Sequence, residues 1–243
     1  MTDIRGLVLL NPLLGRENYV NKVVEYDPIA YWPLLETSGT TATDYSGNSR
    51  DGTYSGVSLA NALGPDGRNK CPYFDGADDT VDIYSAGFNT DFSGAEGTIS
   101  GWAKVAAARW TDAQVRRALL LEVDSDNYVQ IQKSSTNNVL TFHYKAGGTM
   151  EDSQYTTSGP TAWFHWAMSW SATGNIVRYY FNGRQTDTMT ALGTWAGNFD
   201  ANQTLIGASQ VATPTDEWLG WLAHIAVFDS VLSAPAIADL AAV

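Results

Sequence analysis

The sequence predicts an antiparallel β-sandwich with a short C-terminal helix and an N-terminal arm, and three observations carry that prediction. Short runs rich in aromatic and β-branched residues recur along the chain. The links between them are built from Asn, Gly, Asp and Ser, as in "DSDN", "STNN", "SATGN" and "FNGRQ". Helical periodicity is nearly absent, and no fixed-period repeat points to a solenoid or a propeller. Many evenly spaced strands without interleaved helices give an antiparallel sandwich.

The arm spans residues 1–25 and the body residues 26–243. The arm carries an apolar run, Ile4, Leu7, Val8, Leu9, Leu10, Leu13 and Leu14, interrupted by Asn11 and Pro12. Its start is not basic and no small-residue cleavage site follows, so it reads as neither a signal peptide nor a membrane span. It is too apolar for a free tail and is expected to bury against a partner or another copy of the chain. Residues 30–56, "AYWPLLETSGTTATDYSGNSRDGTYSG", open on apolar residues and continue through Thr, Ser, Gly, Asp and Asn. Composition alone allows a linker, a metal loop or a connection between strands. Further on, "GTISGWAKV", "NYVQIQK", "NVLTFHYKA", "WFHWAMSW", "NIVRYYFNG", "QTLIGA" and "LAHIAVFD" suit strands. Asn182-Gly183 has the chemistry of a two-residue hairpin turn, in which both central residues take positive φ. In "TAWFHWAMSW", Phe164, Trp166, Met168 and Trp170 share one face by the two-residue period, while Trp163, His165, Ala167 and Ser169 share the other. The first face reads as core, and so does Trp102. In "SAPAIADLAAV", Ser233 is placed to cap a short helix and Pro235 to sit in its first turn.

A length of 243 residues suits one large all-β domain or two small ones. An apolar fraction of 44%, with nine Trp and twelve Tyr, is enough for a sizeable core. A net charge of −12 repels phosphate backbones, which argues against nucleic acid as a partner. The one cysteine, Cys71, permits no intramolecular disulfide and reads as a packed small hydrophobe. His143, His165 and His224 are scattered without metal-ligand spacing; His165 and His224 lie inside strands and are expected to bond a neighbouring strand or loop. No phosphate-cradling glycine loop stands next to a helix.

The order "AYWPLLETSGTTATDYSGNSRDGTYSG", "CPYFDGADDTVDI", "GTISGWAKV", "WFHWAMSW", "VRYYFNGRQ", "GWLAHIAVFDSVLSAPAIADL" resembles the concanavalin A-like lectin/glucanase superfamily, in its laminin G-like branch of phage and bacterial appendages. The resemblance covers about residues 26–243. It implies a jelly roll of two curved sheets with the chain ends close together. It makes "IAYWPLLE" a first strand and the polar stretch after it a long ordered loop leading into a second edge strand. The resemblance further implies a structural calcium ion, with Asp44, Asn48 and Asp75 as its ligands. A turn role explains Asp44 and Asn48 equally well. The sequence departs from the family where an acidic pair is common before the last strand, since Ala223-His224 stands there.

Two function classes compete. Laminarinase-type glycosidases of this fold carry a Glu-x-Asp-x-Glu strand, and "LLLEVDSDNYVQIQ" sets Glu122, Asp124 and Asp126 at alternating positions. The same residues read as a plain hairpin loop, and no catalytic set is assigned. Binding is the favoured class, because rings stack on sugar faces while amides bond the hydroxyls. Trp110, Trp195 and Trp218 lie outside clear strand patterns and are the carbohydrate-binding candidates, each with the alternative of tucking under its own loop. The leading expectation is a phage virion protein, a capsid decoration or tail component, made in the host cytoplasm. Its partners are then other virion proteins or copies of itself through the arm, with glycans as ligands and no membrane insertion. The alternative is an extracellular lectin or adhesin module of a secreted bacterial protein.

Overall fold

A computed structural model describes residues 19–105, 107–157 and 162–243. The arm residues Ile4, Leu7, Val8, Leu9, Leu10, Leu13 and Leu14 lie outside the described residues. The chain forms helix α1 (Tyr19–Val24) and strands β1 (Ala30–Trp32), β2 (Thr41–Ala42), β3 (Gly52–Ser55), β4 (Ser58–Leu63), β5 (Lys70–Asp75) and β6 (Thr80–Asp82). Next come α2 (Ala86–Asp91), β7 (Glu96–Val105), α3 (Ala107–Trp110), β8 (Arg116–Asp124), β9 (Asn127–Lys133), β10 (Val139–Ala146) and β11 (Thr149–Thr156). The last elements are β12 (Phe164–Ser171), β13 (Ile176–Phe181), β14 (Arg184–Thr190), β15 (Thr204–Ile206), β16 (Leu219–Phe228) and α4 (Ala234–Leu240).

The strands build two antiparallel sheets, as the alternating runs predict. One has the order β14-β13-β12-β7-β16-β5-β4, with β1 added beside β16; the other runs β11-β10-β9-β8-β15-β6-β3-β2. Their facing sides close over one core that holds Trp166, Met168, Trp170, Phe142, Ile131 and Leu119, all without exposure. Phe164, Trp166, Met168 and Trp170 face this core together, as their two-residue spacing requires. Asn182 and Gly183 close the β13–β14 hairpin at φ 47° and 72°. Ser233 caps α4 by accepting from the Ala236 amide, with a proline in the first turn. β16 changes neighbour along its length, from β5 to β1, and a bulge between Ala223 and Ala226 marks the change, with His224 at φ 54°.

A second apolar layer covers the outside of the first sheet. Tyr19, Val20 and Val23 of α1 and Leu240 of α4 pack on Tyr31, Trp102, Cys71 and Phe228. The Tyr19 hydroxyl donates to the Leu240 carbonyl at 2.5 Å and accepts from Trp102 Nε1 at 2.8 Å. Trp102 is thus buried as expected, although on the outer face and not between the sheets. The two described ends meet here, with Lys22 Nζ 2.9 Å from the Ala242 carbonyl oxygen. A boundary at residue 25 therefore cuts through packed structure: residues 19–24 belong to the body. Deleting residues 1–25 is expected to destabilise the fold relative to deleting residues 1–18, because each large apolar side chain lost from burial contributes about 1.5–3 kcal/mol. Denaturant unfolding of the two truncations checks this; equal midpoints would show that α1 adds nothing.

Residues 30–56 form an ordered connection. β1 is three residues long and β3 lies one strand in from the edge, because β2 takes the edge position. Asp44 organises the loop. Its Oδ1 accepts from the Tyr31 and Ser46 amides and its Oδ2 from the Ser46 hydroxyl and the Arg50 amide, at 2.7–2.9 Å. Trp32 Nε1 donates to the Arg50 carbonyl at 2.8 Å and ties the loop to the core.

Candidate functional site

A cleft of about 360 Å³ opens where α2 meets the loop that follows β14. Its aromatic lining is Phe92, Trp195 and Phe199, and its polar lining is Asn89, Thr90 and Asn198. The sequence positions these groups in steps. Ser85 caps α2 by accepting from the Phe88 amide, and one helical turn sets Phe88 and Phe92 on one face. Phe88 anchors the helix in the core, 5.5 Å from Trp32 and 5.4 Å from Phe199 between ring centroids. Phe92 is half-buried at the cleft, 5.5 Å from Trp195 and 4.6 Å from Phe199.

Trp195 is fixed from beneath. Its ring lies across the backbone of Gly94, where a Cβ would come within 1.9 Å of Trp195 Cγ. Any side chain at residue 94 would displace the ring. Asn127 Oδ1 accepts from the Ala196 amide at 3.1 Å and from the Gly147 amide at 2.9 Å, pinning the loop to the β8–β9 and β10–β11 turns. On the other wall Asn89 Oδ1 accepts from the Phe199 amide at 2.7 Å, and its Nδ2 donates to Asn198 Oδ1 at 3.3 Å. The Trp195 indole N–H and the Asn198 Nδ2 have no partner among the described residues. The cleft thus offers half-exposed rings, unspent amide and indole donors, and no charged side chain.

Of the three tryptophans chosen from sequence, Trp195 alone lines this cleft. Trp110 is fully buried, donates from Nε1 to the Thr157 carbonyl at 3.3 Å and meets Phe164 edge-on. Trp218 is fully buried in the main core. Both lie outside clear strand patterns in the sequence, and for both the alternative holds: the ring turns inward under its own loop. The sequence reading missed Asn89, Phe92, Asn198 and Phe199. The spacing Ser85, Phe88, Phe92 was the signal for a capped helix that would have exposed the first two. A second pair of half-exposed rings, Tyr73 and Trp221, stands 5.0 Å apart on the outer face, but Lys104 Nζ covers the Trp221 ring at 5.0 Å.

The metal and catalytic candidates lie away from this cleft. Both Asp44 oxygens are saturated within their loop, and Asn48 Nδ2 is turned to the Ile29 carbonyl at 3.1 Å. Asp75 belongs to a different turn, where its amide donates to Asp79 Oδ2 at 2.7 Å. Asp44, Asn48 and Asp75 do not fit a shared calcium shell, because both Asp44 oxygens already accept two hydrogen bonds each and Asp75 sits in a separate turn with Asp78 and Asp79. In the second turn Asp75, Asp78 and Asp79 bring carboxylate oxygens within 4.8 Å of one another. Burial, then the charges of Asp75 and Asp78, push Asp79 up to about 6 against the hydrogen bond from the Asp75 amide. Glu122, Asp124 and Asp126 do not share one strand face. Asp124 Oδ1 accepts from the Asp126 amide at 2.8 Å and from Asn127 Nδ2 at 3.0 Å, closing the β8–β9 hairpin, and Asp126 pairs with Lys145 at 3.2 Å. His165 Nε2 lies 2.8 Å from the Ser100 hydroxyl and His224 Nδ1 2.7 Å from the Tyr31 hydroxyl, each a bond to a neighbouring strand. Burial pushes them down to about 3 and about 4, so both are neutral at pH 7.

Several solved structures share this architecture. The binding domain of botulinum neurotoxin serotype D superposes with TM-score 0.65 at 13% identity, over 92% of this chain and 52% of that one. The receptor-binding domain of botulinum neurotoxin type G gives 0.60 at 12% identity, over 88% and 51%. This chain therefore spans about half the length of those toxin domains. A Ruminococcus gnavus sialidase CBM40, solved with α2,3-sialyllactose, gives 0.54 at 12% identity, over 67% of this chain and 92% of that one. At such identities the likeness is one of fold. No curated protein matches the sequence. A laminin G-type family model, described as the Concanavalin A-like lectin/glucanases superfamily, matches residues 75–238. With two sheets in jelly-roll form and that match over most of its length, the chain belongs to the concanavalin A-like lectin/glucanase superfamily, in its laminin G-like branch.

Proposed function

We propose that this chain is a non-catalytic, glycan-binding display module whose ligand is a neutral sugar seated on Trp195. The observation that carries the reading is the lining of the cleft. Phe92 and Trp195 offer ring faces to sugar C–H groups, Asn198 and the Trp195 indole offer donors to hydroxyls, and no charged side chain joins them. Binding without turnover agrees with the use of Asp124 and Asp126 as hairpin formers. The apolar run of residues 4–14 supports the second half of the proposal, that the module is carried on a virion, held by other virion proteins or by copies of itself. Display outside a bacterial cell is the alternative setting.

A glycan array read with the full chain and with Trp195→Ala tests the binding half. The wild type is expected to retain a subset of neutral oligosaccharides, and the variant to lose affinity by about tenfold or more. Asn198→Ala, which removes the unspent donor together with the exposed 3.3 Å bond from Asn89 Nδ2 but leaves the core intact, is expected to act in the same direction with little change in melting midpoint. No retained glycan, or equal binding by both variants, would overturn the reading.

A further inference from the structure

A second groove, of about 320 Å³, lies on the outer face of the first sheet, between the β13–β14 hairpin and the segment leading into α4. We propose that it is a carboxylate-binding site, with Arg178 as the anion contact, that takes an acidic sugar. It is separate from the Trp195 cleft and does not rest on it.

The geometry comes from the register. Val177, Tyr179 and Phe181 of β13 face the core, so Arg178 and Tyr180 face out. Arg178 is in register with Thr188 on one side and with Ser169 on the other, and Tyr180 with Gln185. Arg178, Tyr180 and Gln185 line the groove, and Val231 and Leu232 form its apolar wall. Arg178 is half-buried and has neither an ion pair nor a hydrogen bond among the described residues. The Tyr180 hydroxyl likewise has no partner there. Beside Arg178, the Ser169 hydroxyl is fully buried and unpartnered. The acid nearest on β14, Asp187, is in register with core-facing Tyr179 and accepts from the Ser153 hydroxyl at 2.8 Å, so it is turned away. In a chain with 26 acidic and 14 basic side chains, a guanidinium in a concave site without an acid is an anion acceptor left unfilled.

The chemistry selects the ligand. A guanidinium fork matches a planar carboxylate, and a phenol two residues along the same strand face supplies a further donor. Gln185 Nε2 already donates to the Thr188 hydroxyl at 2.7 Å, which leaves its carbonyl oxygen to accept from a ligand hydroxyl. The Leu232 wall suits the C–H face of a ring. Carboxylate, hydroxyls and an apolar ring face together describe an acidic sugar, free or at the end of a glycan.

The test is a nitrogen-15 titration of the full chain with D-glucuronate, with its uncharged methyl ester as control. Saturable shifts of the Arg178 Nε–H and the Gln185 side-chain amide are expected with glucuronate and not with the ester. Arg178→Gln is expected to weaken binding by about tenfold or more, because a charge-assisted pair is lost. Trp195→Ala is expected to leave these shifts unchanged, so failure here and failure of the neutral-sugar site are distinguishable. Applying the full chain to an array of glycans that end in an acidic sugar then separates a free monosaccharide ligand from a glycan end. Equal shifts with acid and ester, unchanged binding by Arg178→Gln, or no shift at all would overturn the proposal.

Discussion

Trp166→Ala is expected to lower unfolding stability by about 3–5 kcal/mol, the range for deleting a large buried aromatic. Trp166 has no exposed surface and lies on β12, which is flanked by β7 and β13. It faces Gly101 across the β7 register, and a Cβ there would come within 2.3 Å of Trp166 Cζ2. The indole therefore fills the space that glycine leaves, and alanine would empty two neighbouring positions at once. The Trp166 N–H is buried without a partner, so Trp166→Phe is expected to cost much less, because it trades lost volume against removal of an unsatisfied donor. Guanidinium unfolding of both variants checks the pair. A loss below about 1 kcal/mol for Trp166→Ala would mean that the two sheets do not pack as described.

Asp112→Ala is expected to cost a similar amount for an electrostatic reason. Lys133 is fully buried, yet it is a charged side chain at the end of β9. Its ammonium donates to Asp112 Oδ1 at 2.8 Å, to the Gln114 carbonyl at 2.9 Å and to the Asp112 carbonyl. Arg116 Nη2 holds the other Asp112 oxygen at 2.7 Å. Removing the carboxylate leaves two buried cations without their anion, a loss of about 3–5 kcal/mol. Burial pushes the Asp112 carboxyl up, but the hydrogen bonds and charges of Arg116 and Lys133 outweigh this and hold it below the ordinary carboxylate range. A depressed folded-state pKa means stability that is present above the unfolded pKa and lost as the pH falls through the folded one. The penalty of Asp112→Ala is therefore expected in full at pH 7 and diminished in acid, below about pH 4. Urea unfolding of wild type and variant across that range reads both the size and the slope.

The strands were legible because each carries its own two-residue alternation, and the hairpins because Asn182-Gly183 and "DSDN" demand particular backbone angles. Ser233 and Pro235 announced α4 in the same local way. The outer layer was not legible. Tyr19, Val20 and Val23 are ordinary residues in an apolar leader, and only the tertiary contact with Trp102 and Leu240 shows that they cover a sheet face. Of the candidate rings, the fold sets Trp195 at the cleft and buries Trp110 and Trp218. A loop tryptophan looks the same in sequence whether its ring turns out or in. What decides is the seat beneath it: Gly94 gives Trp195 a flat backbone to lie on near the surface, whereas Phe164 and the Thr157 carbonyl draw Trp110 inward. Arg178 was invisible for a related reason, since a missing partner is a property of the fold and not of the neighbouring letters.

The central claim is that the cleft at Trp195 receives a neutral sugar. A nitrogen-15 titration of the full chain with the neutral oligosaccharide best retained on the array tests it most directly. The indole N–H of Trp195 and the side-chain amides of Asn89 and Asn198 are expected to shift together and saturate, while the indoles of Trp110, Trp218 and Trp221 stay in place. Saturating shifts at Trp221 with Trp195 unmoved would contradict the account.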